Sequence, residues 1–320
     1  MANISFFFPQ SQKGTALGLN AGLGNLGVST VQFVVPLAIT AGIFGWLGGE
    51  PQTMVQGEVT KQIWLQNAGF IWVPFIVVTA IAAWFGMNDI ASAQATFKDQ
   101  MVIFKRKHNW LMCWLYTGTF GSFIGYSAGL PLLIKTQFPD VVPTQYAFLG
   151  PLVGALIRPV GGWLADKLGG ARVTLWNFVV MGVGVYLVLQ FLPHDGAGGN
   201  FLGFLFSFIL LFATTGIGNG STFRMIPVIF LTKHQRALSN PSADVAALAR
   251  RLAAKESAAV LGFSSAIAAY GAFFIPKSFG TSIAVTGGPE AALYAFLIFY
   301  ASCIALTWWF YARRDAEMPC

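Results

Sequence analysis

GTALGLNAGLGNLGVSTVQ, residues 14–32, is long enough to cross a bilayer as a helix and carries no charge after Lys13. Five of its residues are glycine, at 14, 18, 22, 24 and 27. In water each glycine would cost a helix about 1 kcal/mol relative to alanine. In lipid every backbone group must pair internally, so helix remains the best conformation for a spanning segment. Gly14, Gly18 and Gly22 recur every fourth residue, the small-xxx-small pattern that lets a second helix approach closely. Asn25 is the polar residue left inside this closely packed helix.

Composition agrees. Of 320 residues, 55% are hydrophobic and only 10% charged, with a mean hydropathy of +0.64, whereas soluble domains carry about 25% charged residues. The chain reads as an all-α protein integral to a lipid bilayer. Its net charge of +7 is spread through short loops, where it reports topology, and no nucleic-acid partner is expected. The cysteines at 113, 303 and 320 form no disulfide framework or metal spacing and read as small apolar fillers. MANISFFFPQSQKG lacks the basic n-region and cleavage site of a signal peptide.

Apolar windows of spanning length occur eight times, near 15–41, 67–88, 110–134, 146–165, 173–192, 201–230, 257–276 and 290–312. An even number puts both termini on one side. With the N-terminus inside, 14 of the 19 basic residues are cytoplasmic, three are external, and Arg158 and Arg224 fall within spans. That asymmetry favours both termini on the cytoplasmic side. The 41–66 stretch reads as a polar external loop. Residues 89–109 read as a basic internal linker, and 231–256 as a cytoplasmic loop whose Ala243–Ala254 part suits an amphipathic surface helix. His108, His194 and His234 sit in loops or at span ends, so no buried histidine relay is expected.

The third window contains GTFGSFIGYSAG, with Gly118, Gly121, Gly125 and Gly129 on one predicted face. Such faces serve close packing and also let helices slide and rock, as transporters require. A repeat points the same way: Gly18–Gly27 aligns without gaps on Gly262–Gly271, matching Gly18 to Gly262 and Gly27 to Gly271, while Gly22 becomes Ala266.

Arg158, in GPLVGALIRPVGGWLADKLGG, is the residue to explain. A charge at membrane depth costs about 2.5–3.5 kcal/mol on insertion scales, and Arg158 lies a little past mid-membrane. Pro159 follows it and frees a backbone carbonyl. All twelve acidic residues fall in loops or at span ends, so none is expected to pair with it. A buried guanidinium without a protein counter-ion suits a bound planar oxyanion; satisfaction by backbone carbonyls is the alternative. Tyr116 and Phe120, four apart, share a helix face. On spacing alone that is more often core packing than the wall of an anion site. Arg224, near the end of its span, is expected to snorkel and to serve structure or gating. Paired carboxylates, zinc spacing and a phosphate loop are all missing, so no enzyme, cofactor or metal is expected.

These segments resemble the NarK-type nitrate/nitrite porters of the major facilitator superfamily. AGLGNLGVS is similar to that family's nitrate signature, and Gly262–Pro276 to its second copy. GGWLADKLGGARVT, with Asp166, Lys167, Gly169 and Arg172, is similar to the superfamily's cytoplasmic loop motif. GTFGSFIGYSAG, GIGNGSTFRMIPVIF and FFIPKSFG also resemble family segments. The resemblance implies that Arg158, Asn25, Tyr116 and Phe120 bind nitrate or nitrite, with Arg158 one of two clamping arginines. It also implies that Gly18, Gly22, Gly24, Gly27, Gly262 and Gly271 serve helix packing and gating. Ala266 and Ala269 replace Gly22 and Asn25 in the second signature. Against the family's twelve spans, these eight resemble spans five to twelve. Residues 1–92 would then close an N-terminal bundle, 93–109 link, and 110–320 form a six-helix C-terminal bundle. The implied activity is alternating-access transport, with nitrate/nitrite antiport favoured over proton symport because the spans lack a proton-carrying carboxylate or histidine. The reading from another class is a non-transporting fragment that needs a separate N-terminal piece as partner.

Overall fold

The computed structural model describes residues 7–9, 11–56, 59–87, 100–193, 198–236, 238 and 242–320. The boundary expected near residue 92, together with Lys98 and His194, lies outside them. Ten helices of ten residues or more carry the described fold: α1 Lys13–Ala38, α2 Val73–Gly86, α3 Lys107–Tyr116, α4 Ser122–Gln137, α5 Leu149–Leu168, α6 Gly170–Phe191, α7 Phe201–Arg236, α8 Ala243–Ala269, α9 Gly271–Thr286 and α10 Glu290–Thr307. Among the described residues, seven helical stretches are long and apolar enough to cross a membrane. The window expected at 110–134 is also helical, but a π turn at Thr117–Gly121 divides it into α3 and α4.

The polar stretch 41–66 is more ordered than a loop. Strands β1 Gln52–Gln56 and β2 Val59–Ile63 pair antiparallel, with Thr53 opposite Gln62. The hairpin returns the chain to the end of α1. There the buried Asn67 amide donates to Ala38 O (3.2 Å) and Ala41 O (2.8 Å), satisfying carbonyls that a helix C-terminus leaves open.

Of the stretch expected as a cytoplasmic loop, 231–236 and 243–256 are helical. α7 continues to Arg236, and 243–254 is the first part of α8 rather than a separate surface helix. A part-buried ionic cluster ties the two helices together. Glu256 accepts from Arg106 Nε at 2.5 Å and pairs with His234 Nε2 at 2.7 Å, which holds the charged turns of both helices together.

α1 lies along α5, and α7 packs on α5, α6 and α8. The α1–α5 crossing follows the glycine stripe. A Cβ on Gly18 would sit 3.0 Å from Arg158 O, and one on Gly22 2.7 Å from Ala155 O. Ala155 O is the carbonyl that Pro159 leaves without its helical donor, and a residue lacking Cβ lets α1 pass over it. Gly24, Gly27 and Gly262 differ: a Cβ there would meet nothing within 4 Å, so packing among the described residues does not account for them. Gly271 does pack, against Gly121. The aligned pairs Gly18/Gly262 and Gly27/Gly271 therefore occupy unlike surroundings. α1 crosses α5 through its first half, whereas the second copy meets α4 at the α8–α9 break.

The predicted single face of GTFGSFIGYSAG is corrected too. Gly121, Gly125 and Gly129 face α8 and α9, but Gly118 faces Phe178 and Cys303. The π turn adds a residue between them and rotates the faces apart. α2, by contrast, has no buried residue.

Candidate functional site

Arg158 projects from the middle of α5 and is 1% exposed. Its Nη2 donates to the Tyr116 hydroxyl at 2.8 Å. Its guanidinium carbon lies 5.1 Å from the ring centre of Phe223 and 5.6 Å from that of Phe120. Nε and Nη1 are buried and have no hydrogen-bond partner among the described residues. Aromatic faces return part of the desolvation cost through cation–π attraction, about 0.5–2 kcal/mol each. They offer no acceptor in the guanidinium plane, so two donors stay open.

The aromatic wall depends on the π turn. Tyr116 ends α3 and Phe120 lies within the turn, yet their rings stack at 5.1 Å and 14°. Tyr116 also stacks on Phe223 of α7 at 4.4 Å and 21°. A cavity of about 270 Å³ opens beside them, lined by Asn25, Tyr116, Phe120 and Arg158 together with Leu261, Gly262 and Ser265 of α8. This is at the small end for ligand sites and suits a polyatomic ion with a few waters. The four residues that the sequence reading assigned to an anion thus share one cavity. Gly262 borders it as well.

The other assigned residues lie elsewhere. Asp166, at the end of α5, accepts from Gly14 N (3.1 Å), Thr15 N (2.9 Å) and Thr15 Oγ1 (3.0 Å). Its carboxylate faces the free N–H groups that open α1, where a negative charge is favourable. Arg224, expected to serve structure or gating, pairs with that carboxylate: its Nε lies 3.4 Å from Asp166 Oδ1. Lys167 lies over the Trp163 ring at 4.1 Å, Arg172 is exposed, and Gly169 adopts φ +91° between α5 and α6, a conformation that favours glycine. None of these lines the Arg158 cavity.

Sequence reasoning missed Phe223, Ser265 and Asn219. Asn219 is 1% exposed, and neither amide atom has a partner among the described residues. It sits one turn before Phe223 on α7, so both project toward the same side. The polar residues in GIGNGSTFR were the available signal. Glu256, expected beside the start of a span, is buried within α8. It is committed to Arg106 and His234 and does not line the cavity. His108, expected at a span end, begins α3 but is 4% exposed, held between the Tyr311 hydroxyl (3.0 Å) and Glu317 (3.2 Å).

No family model matches the chain. It is 51% identical over 319 residues to the nitrate/nitrite transporter NarU of Salmonella typhimurium, spanning 99% of this chain and 68% of that protein. The Escherichia coli NarU is 50% identical over 98% of this chain and 67% of its own length. A probable nitrate/nitrite antiporter, NarK2 of Thermus thermophilus, is 40% identical over 100% of this chain and 68% of its own length. Among solved structures, the outward-facing major facilitator transporter FucP superposes with a TM-score of 0.58 at 12% identity, over 96% of this chain and 70% of that one. The last is a likeness of fold alone.

Proposed function

The chain belongs to the nitrate/nitrite transporters, and we propose that it moves nitrate and nitrite across the cytoplasmic membrane by alternating access, with Arg158 holding the anion. The observation that carries this is the guanidinium itself. It is fully buried, no carboxylate faces it among the described residues, and two of its nitrogens are open beside a cavity walled by aromatic rings. Tyr116 orients the fork, Phe120 and Phe223 exclude water from its faces, and Asn25 on α1 supplies an amide from across the cavity. The signature glycines along α1 and at the α8–α9 break give smooth surfaces on which helices can rock.

The mode we favour is exchange of nitrate for nitrite. A proton symporter needs a titratable group coupled to the substrate. Glu256 and Asp166 are engaged by Arg106, His234 and Arg224 away from the cavity. We place eight crossings in the membrane, both termini in the cytoplasm, residues 1–92 in one bundle, 93–109 as the connection and 110–320 in a second bundle. Counterflow in proteoliposomes tests the mode. Internal nitrite should drive nitrate uptake without a pH gradient. Nitrate uptake driven by a pH gradient into anion-free vesicles would establish symport instead.

A second reading is favoured by α2, which buries none of its residues, and by Gly24 and Gly27, which meet no neighbour. In it this chain works with a separate N-terminal piece that covers those faces. Flux that appears only on co-expression of such a piece would support that reading, and flux from this chain alone would refute it.

A further inference from the structure

A second cavity, of about 360 Å³, lies between the start of α1, the last turns of α7 and the first half of α8. Lys13, Gln235, Arg250 and Ser257 supply its polar lining, and Pro227 and Leu231 its apolar floor. No acidic residue lines it among the described residues. Neither Lys13 nor Arg250 forms an ion pair among the described residues, although five such pairs occur elsewhere. Two cations facing one cavity repel each other, so the arrangement favours an anion between them.

Its position relative to Arg158 gives that anion a destination. α1 contributes Lys13 to this cavity and Asn25 to the Arg158 cavity, about 18 Å apart along the axis. α8 contributes Arg250 and Ser257 to one and Leu261 and Ser265 to the other, on successive turns. The same two helices therefore wall both cavities. The basic loops assign this end to the cytoplasm.

We propose that the Lys13–Arg250 cavity is a second, weaker site for small inorganic oxyanions, occupied by substrate on its way between the cytoplasm and Arg158. This rests on the transport reading above. In a water-like dielectric each charge at about 8 Å from the anion contributes roughly 2- to 3-fold in occupancy. Salt screens the effect, with a Debye length of ~3 Å at 1 M against ~10 Å at 0.1 M. The site raises local anion concentration without binding tightly enough to delay release.

Nitrate transport by K13Q/R250Q, measured in right-side-out and inside-out vesicles of zwitterionic lipid, tests this. The half-saturating nitrate concentration should rise about 5- to 10-fold from the cytoplasmic side only, and the difference should vanish in high concentrations of a non-substrate salt. K13R/R250K should behave as wild type. Equal change from both sides, or none while Arg158→Gln abolishes transport, overturns the second site and leaves the Arg158 reading intact. Undiminished nitrate transport by Arg158→Gln would instead remove Arg158 from the substrate site. A labelling measurement does not depend on flux. R250C should react faster with an anionic thiosulfonate than with a neutral one, K13Q should remove that preference, and nitrate should slow the anionic reaction. Slowing by anionic lipid but not by nitrate would assign the cavity to a lipid headgroup and refute the proposal.

Discussion

Arg158→Lys keeps the charge and discards the fork, so it separates electrostatic from geometric recognition. In the structure Nη2 is held by Tyr116 at 2.8 Å, while Nε and Nη1 remain open. A hydrogen bond to a charged group contributes about 1.5–3 kcal/mol. A planar oxyanion that uses both open nitrogens therefore gains roughly 3–6 kcal/mol. Lysine at this depth can replace about one of the two bonds, so the loss is about 1.5–3 kcal/mol, roughly 10- to 100-fold in affinity at 1.4 kcal/mol per decade. Arg158→Gln removes the charge as well and should weaken binding by roughly 100-fold or more. The assay is equilibrium nitrate binding to purified protein, with elution profile and thermal stability checked alongside. Folded Arg158→Lys protein that binds nitrate within twofold of wild type would refute the reasoning, because the anion would then not be reading the fork.

Three further outcomes follow from the packing and the charges. Gly22→Ala should lower the melting temperature and impair transport, because its Cβ would fall 2.7 Å from Ala155 O, whereas Gly24→Ala meets nothing within 4 Å and should leave thermal stability unchanged. Asp166→Asn should destabilise the protein by about 1–2 kcal/mol by weakening the hydrogen bonds at the start of α1 and the pair with Arg224, and a double-mutant cycle with Arg224→Ala should be non-additive. The Lys107 ammonium hydrogen-bonded to Glu317, with His108 beside it, holds that carboxylate below the usual range. A depressed carboxylate stabilises above its ordinary value of about 4.3 and loses that contribution as pH falls through the folded value. Amide hydrogen exchange over 313–320, corrected for intrinsic rate, should therefore accelerate as pH falls below the ordinary carboxylate value of about 4.3, and Glu317→Gln should show the same acceleration at pH 7.

The local sequence settled the membrane character, the approximate places of the long apolar helices and the oddity of Arg158. Each of these follows from transfer free energy summed over a window or a single residue, and needs no knowledge of neighbours. The glycine stripe of α1 was readable for the same reason, since four-residue spacing defines a helix face. The aromatic pair was not decidable that way. Tyr116 and Phe120 fit core packing equally well until the π turn stacked their rings and brought Phe223 in from α7, about a hundred residues away. The extension of α7 and α8 into the polar stretch was hidden as well, because hydropathy registers Glu256, His234 and Arg106 as solvent-seeking. Only their mutual pairing, across some 150 residues for Arg106 and Glu256, makes burial tolerable. Which carboxylates are spoken for, which face of a helix meets a cavity and which glycines meet a carbonyl are properties of three-dimensional neighbours. A one-dimensional pattern carries the cost of burying a group, and the tertiary structure alone supplies the partner that offsets it.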